Sequence, residues 1–255
     1  QEHILIKDKP LLDWQHKENI QPQNGHYNFV VACHRQTGEF HGVLGFVSPC
    51  FYKTGRVQES EDIWLAIWKV EKALVTEASV GLAMLAFIDA AYCPRNILAI
   101  GINKEVGMLY RLLGFKVDYL DQSFIQNPAV SSYSIAQTLN KISRPHHSEA
   151  GENVGVKEVT FEELKKEDET YTLLPERKNI NYIKGRYENH PTYTYSYLVF
   201  EVDNQPKAAA VIRKIETQGS TCARIIDFFG FMNLPTGLSP AMEAYLQQAG
   251  LEYIE

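Results

Sequence analysis

Asn28–Cys33 and Phe40–Val47 are two β-rich runs separated by the turn Gln36-Thr37-Gly38-Glu39, the pattern of an antiparallel hairpin. From Asp62 to Val70 nearly every position is apolar. Strand alternation puts Trp64 and Trp68 on one face and the isoleucines on the other, which predicts a strand buried on both sides. Val80–Tyr92 is apolar almost all round at helical spacing and is stopped by Pro94, so it predicts a helix inside the structure. Ile97–Ile102 predicts a further buried strand. Asn103 is an N-cap for a helix reaching Leu113, with Glu105 in its first turn, and Phe115–Tyr119 returns as a strand.

The pattern turns polar and irregular around Arg144–Asn153 and then restarts. Val156–Val159 predicts a short strand, Thr160 with Glu163 a capping box, and Pro175–Asn189 a helix. A hairpin follows (Tyr193–Val202, turn Asp203–Pro206, Lys207–Ile215), then a buried strand Cys222–Phe231, a helix Ser239–Ala249 and the opening of a strand at Leu251–Ile254. Hairpin, long strand, helix, strand therefore occurs twice. This predicts a mixed α/β (α+β) chain of two modules, residues 1–140 and 157–255, joined by a linker at 141–156. Each module is a mostly antiparallel twisted sheet flanked by helices. The second stops at its fifth strand and the chain opens on Gln1, so the native chain is expected to be longer at both ends.

Composition narrows the class. At 255 residues, 45% hydrophobic and 22% charged, the chain can bury a sizeable core and is not disordered. No apolar run reaches the ~18 residues a membrane-spanning helix needs. The net charge is −6, with 12 basic against 14 acidic side chains in residues 1–140 and 13 against 17 in 141–255. Neither half is a basic module, which argues against nucleic acid as partner. Cys33, Cys50, Cys93 and Cys222 are widely spaced without a C-x-x-C pattern and read as reduced core thiols of a cytoplasmic protein. His146-His147 has no companion ligands at metal spacing, so no metal is expected.

The segment Asn103-Lys104-Glu105-Val106-Gly107-Met108-Leu109-Tyr110-Arg111-Leu112-Leu113-Gly114-Phe115 carries the sharpest signal. It resembles the Asn-x-x-Ala-x-x-x-Tyr-x-x-x-Gly-Phe segment of the GNAT (Gcn5-related) N-acetyltransferase superfamily, with Val106 in place of alanine. The resemblance covers about residues 26–128. It implies that the strands 62–70 and 97–102 splay apart and that acetyl-CoA enters the gap as co-substrate. Its pantetheine arm would lie along Trp68, Lys69 and Val70, beside Asn103 and Tyr110. Its pyrophosphate would sit on the amides at the start of the next helix, where free N–H donors and a partial positive charge favour an anion. The family's Arg/Gln-x-x-Gly-x-Gly/Ala signature is half present in Ala78-Ser79-Val80-Gly81-Leu82-Ala83.

Tyr110 stands where the family places its general acid. A phenol held against the departing CoA thiolate can donate to the sulfur. For the general base, Glu59, Glu61 and Asp62 precede the central strand, and Asp62 is the nearest candidate, with Trp64 beside the acceptor. In the second half, Arg186-Tyr187-x-x-His190-Pro191-x-Tyr193-x-Tyr195 resembles a segment of GNAT-like modules in bacterial surface-polysaccharide and cell-wall transferases. Arg186, His190, Tyr193 and Tyr195 are then candidates for binding a phosphorylated or sugar-bearing acceptor. No pyrophosphate signature follows the strand ending near Phe231. The resemblance thus implies a cytoplasmic N-acetyltransferase acting on a small amine, with a nucleotide-linked amino sugar as first choice; oligomeric state is left open. Two other readings stand beside it: a tandem-module aminoacyl transferase using aminoacyl-tRNA, and a binding protein that kept the fold without catalysis.

Overall fold

A computed structural model describes residues 4–17, 26–54, 61–71, 73, 79–142, 153–166, 178–230 and 237–255. The chain divides into two compact units. One takes the residues up to Tyr119 together with Asn189–Thr192, and the other takes Leu120–Glu188 and Tyr193–Glu255. Residues 120–140, assigned from the sequence to the first module, therefore belong with the second. The reason is that Ile125–Gln126 pairs with the last strand of the chain, which no local pattern reveals. Most of the expected linker, 143–152, lies outside the described residues.

In the first unit, two short helices (α1, Ile4–Lys7; α2, Lys9–His16) precede the hairpin β1 (Phe29–Cys33) and β2 (Phe40–Val47). A short helix α3 (Pro49–Thr54), the strand β3 (Ile63–Val70), the helix α4 (Ser79–Tyr92), β4 (Ile97–Ala99) and α5 (Lys104–Leu112) follow. The sheet order is β1-β2-β3-β4, antiparallel except for the last pair, which α4 joins as a parallel crossover. Leu44, Phe46, Ile63 and Ile88 are fully buried at the centre, with Met84, Leu85 and Tyr110 packed against them. Although α4 is apolar nearly all round, only its Gly81–Met84–Leu85–Ile88 side is buried and Phe87 is 58% exposed, so it lies on the sheet rather than inside the unit. Phe115–Tyr119 forms no strand: Arg111 reaches the carbonyl of Val117, and the segment runs as extended chain.

The second unit begins with β5 (Ile125–Gln126) and a 3-10 turn (Gln137–Lys141), then β6 (Val154–Val159), α6 (Phe161–Lys166) and α7 (Ile180–Ile183). After these come β7 (Ser196–Val202), β8 (Gln205–Thr217), β9 (Ser220–Gly230), α8 (Leu238–Ala249) and β10 (Tyr253–Ile254). The sheet order is β5-β10-β9-β8-β7-β6, with β9 and β10 parallel. The capping box forms as expected: Thr160 N and Glu163 Oε2 lie 2.8 Å apart, and Glu163 N donates to Thr160 Oγ1 at 3.2 Å. Asp203 and Asn204, both at positive φ, make a two-residue hairpin turn of the kind that matches strand twist. The helix expected over 175–189 is broken: α7 gives way at Lys184–Glu188 to a π-turn, and 175–177 lie outside the described residues.

The two units thus repeat one order, three antiparallel strands followed by a helix and a parallel fourth strand. Of the cysteines, Cys50 and Cys222 are buried whereas Cys33 and Cys93 are exposed, so only half are core thiols. Glu252 is 5% exposed, and among the described residues its partners are hydroxyls and backbone amides. It accepts from Ser134 N (2.9 Å), Ser134 Oγ, Ile135 N (3.1 Å) and Ser220 Oγ (2.7 Å), which pins the 133–140 segment to the last strand. Burial by itself would raise this carboxyl; the donated bonds outweigh it and hold it below the usual range.

Replacing Glu252 by alanine leaves these buried donors without an acceptor and is expected to lower stability by about 2–4 kcal/mol in urea unfolding. With a folded pKa below the unfolded value, this stability is present above about pH 5 and fades as pH falls through the folded pKa. The difference between wild type and Glu252→Gln is therefore expected to shrink in acid.

Candidate active site

The strands β3 and β4 stay paired for only three positions, Ile63↔Ile97, Trp64↔Leu98 and Leu65↔Ala99. Beyond them they part. Pairing with β2 shows why on the β3 side: Gly45 faces Ile67 but the next residue, Phe46, faces Leu65, so Ala66 is an extra, bulged residue. On the β4 side, Gly101 at φ +73 turns the chain away in a conformation that only glycine adopts freely. A cleft of about 460 Å³ opens between them. Its walls are Ala66–Trp68 and Val70 on one strand, Ile100–Asn103 on the other, and Gly81, Leu82 and Tyr110 from the helices.

The bulge also reverses strand alternation. Ile63, Leu65, Trp68 and Val70 join the same apolar cluster, while Trp64 lies outside it, so the two tryptophans do not share the face that alternation predicts. The Trp68 indole packs on Gly81. A Cβ at that glycine would stand 3.1 Å from the indole Nε1 and 3.3 Å from Cζ2. A larger residue at the helix start would press on the tryptophan.

Tyr110 lies in the floor of the cleft, 5% exposed, with its ring centroid 5.7 Å from Trp68 and 5.1 Å from Phe115. Burial pushes its phenol up to about 12. Asn103 caps α5, its Oδ1 accepting from Val106 N at 2.8 Å. Of the residues expected along a CoA arm, Trp68, Val70, Gly81, Leu82, Asn103 and Tyr110 converge on the cleft. Lys69 points outward beside His41 and Glu71, and Val80 and Ala83 turn toward a shallow groove against β1. Ala78 and Glu59 lie outside the described residues.

Asp62 is committed elsewhere. Arg95 donates to it from Nε (3.0 Å) and Nη2 (2.5 Å), and Asn96 Nδ2 donates at 2.8 Å. The Arg95 guanidinium holds its carboxyl below the usual range, against the raising effect of burial. A base needs a free lone pair and a raised pKa; Asp62 has a bidentate clamp and a lowered one, and it does not line the cleft. No Asp, Glu or His among the described residues lines it.

The candidates from the second half of the sequence separate. His190 belongs to the first unit, its ring centroid 4.2 Å from Trp14 with the planes tilted by 51°, and the nearby Thr192 donates to Asp8. Arg186 is half-buried on the π-turn, Tyr195 packs on Tyr187 at 5.1 Å, and Tyr193 lies under the Arg213 guanidinium at 4.4 Å. What sequence reasoning missed is the acid between them. Asp227 binds Lys178 Nζ at 2.6 Å and accepts from Tyr187 at 2.7 Å and from its own neighbour's amide, Phe228 N, at 2.9 Å. Desolvation first, then Asp227, pushes the Tyr182 phenol up to about 12. The signal was a lone acid inside the apolar run Cys222–Gly230.

No family model matches the chain, and no curated protein matches it. Similar solved structures are GCN5-related N-acetyltransferases and N-acyltransferases. A GCN5-related N-acetyltransferase from Anabaena variabilis aligns over 99% of this chain and 63% of its own, at 10% identity and a TM-score of 0.49. A conserved Enterococcus faecalis protein described as a probable N-acyltransferase aligns over 84% and 51%, at 9% identity and 0.44. Saccharomyces cerevisiae N-myristoyltransferase with bound myristoyl-CoA aligns over 97% and 64%, at 10% identity and 0.42. The chain spans less than two thirds of the length of each.

Asp62→Asn keeps the shape but weakens the clamp between β3 and β4. Because Arg95 is 43% exposed, the expected loss is modest, about 1 kcal/mol in urea unfolding. The pH dependence of whatever reaction the cleft carries out is expected to be unchanged.

Proposed function

We propose that the chain is an N-acyltransferase that transfers a short acyl group, acetyl first, from CoA to the amine of a small acceptor. The observation that supports it is the fork. Past Leu65, the edge of β3 that faces β4 has no strand partner among the described residues, while its other edge remains bonded to β2. An extended molecule with its own amides, such as the pantetheine arm of CoA, can add there as a short strand. The cleft, at about 460 Å³, is within the size range of small-ligand sites. The N-terminus of α4 at Ser79 is the positive end of a helix dipole, which favours an anion such as the pyrophosphate.

In this reading the thioester carbonyl sits at the bulge, where the extra residue re-aims a backbone N–H of β3 toward the developing oxyanion. The acceptor nitrogen attacks the carbonyl carbon, the C–N bond forms, and the C–S bond breaks to release thiolate. Tyr110 donates a hydrogen bond to that sulfur. With its phenol near 12 and a free thiol near ~8.5, complete proton transfer in the resting site is uphill by roughly 5 kcal/mol. Its part is to stabilise the thiolate while keeping its own proton. The amine proton leaves to water. A nucleotide-linked amino sugar is the acceptor class to test first, on the resemblance of the segment Arg186–Tyr195 to surface-polysaccharide transferases alone. A cytoplasmic location fits the use of acetyl-CoA.

Acetyl-CoA at ~100 times its dissociation constant is expected to stabilise the protein by about 2.7 kcal/mol, a Tm rise of roughly 5–10 °C. Ser79→Glu, an exposed charge set where the pyrophosphate would lie, should remove most of that rise. No shift with wild type refutes the proposal.

Tyr110→Phe is expected to lower kcat by about 10–100-fold with little change in the KM for acetyl-CoA. Since the phenol must stay protonated and does so up to about pH 12, kcat/KM of wild type should show no falling limb from it below about pH 11. A limb near pH 9–10 that disappears in Tyr110→Phe would assign the phenol a different state from the one described.

A further inference from the structure

Resting on the reading of the cleft as a CoA site, we propose that Trp68 sets the length of acyl group the site accepts, closing it to chains much longer than propionyl. Trp68 stands two residues along β3 from the bulge, so its ring lies beside the place where the fork opens and the thioester would rest. The indole is backed on two sides. On one side it meets the backbone of Gly81 so closely that even a Cβ there would be 3.1 Å away. On the other it meets Tyr110, whose ring is itself backed by Phe115 at 5.1 Å. Below them Met84, Leu85 and Ile88 are buried and belong to the same packed cluster. An acyl chain growing inward from the fork therefore runs into a continuous aromatic wall.

Two features make the wall a choice of this sequence and not a by-product of the fold. The bulge at Ala66 is what turns Trp68 inward; without the extra residue, alternation would put it on the face of Trp64. Glycine at position 81, inside a helix where it is unfavourable, is what makes room for the indole. Replacing the indole by a smaller side chain frees apolar space beside Tyr110, room for added methylenes. One methylene in such a pocket changes selection by roughly 10–200-fold.

The test is calorimetric binding of CoA, acetyl-CoA and hexanoyl-CoA to the full chain, wild type and the variants Trp68→Leu and Trp68→Phe. Wild type is expected to bind hexanoyl-CoA at least tenfold more weakly than acetyl-CoA. In Trp68→Leu that ratio is expected to move at least tenfold toward hexanoyl-CoA, and in Trp68→Phe by less. Wild type binding both thioesters equally, or an unchanged ratio in a folded Trp68→Leu, overturns the proposal while CoA binding still stands. If CoA itself fails to bind wild type, the reading of the cleft fails and this inference with it. Should Trp68→Leu not fold, the wild-type ratio and Trp68→Phe decide.

Discussion

The fork in the first sheet depends on what holds its closed end. Three residue pairs of parallel ladder are little to join two strands that then diverge. The junction is reinforced just before the first pair. Ile63 N donates to Asn96 O at 2.9 Å and Arg95 N to Glu61 O at 3.1 Å, while Asp62 grips the side chains of Arg95 and Asn96. With that end pinned, the bulge at Ala66 and the left-handed Gly101 carry the two strands apart, and α4 and α5 roof the gap.

The same order of elements ends differently in the second unit. There β9 and β10 stay together: Glu252 N bonds to Thr221 O, Glu255 N to Ala223 O and Ile225 N to Glu255 O. The other edge of β10 is taken by β5, and Asn127 ties that corner down through the carbonyls of Leu246 and Leu251. A fourth strand with neighbours on both edges has nothing left to offer an extended ligand. One topology thus yields an open site in one unit and a sealed sheet in the other, and the difference lies in which backbone groups remain unpaired.

Local pattern carried much of this and missed what was non-local. The hairpin β1–β2, the helix after Asn103, the capping box at Thr160 and the strand Ile63–Val70 were legible because each is written in neighbouring residues. The unit boundary was not, since β5 is two residues long and finds its partner more than a hundred residues later. The face of Trp68 was mispredicted because a bulge is invisible to a period-2 reading, and only the pairing register with β2 exposes it. Asp62 looked like a base because an acid before a central strand near an acceptor invites that role. Its partners, Arg95 and Asn96, sit a helix away in sequence. Tyr110 and Gly81 both line the cleft, and what the sequence did not show is that Gly81 lies against the Trp68 indole, a contact made across the bulge.

Once Asp62 is seen to be a clamp, the chemistry of the cleft changes character. The described residues around it supply apolar walls, backbone amides, one amide side chain and one high-pKa phenol, with no carboxylate or imidazole. On the proposed reading, none of these described groups would take a proton from an ammonium at neutral pH. The apolar fork would then favour an acceptor that arrives as the free amine, because a charged nitrogen would have to shed its hydration to enter. Burial also keeps the Tyr110 phenol protonated, the state the proposed role needs. The burial that makes the phenol a poor acid is what makes it a dependable hydrogen-bond donor.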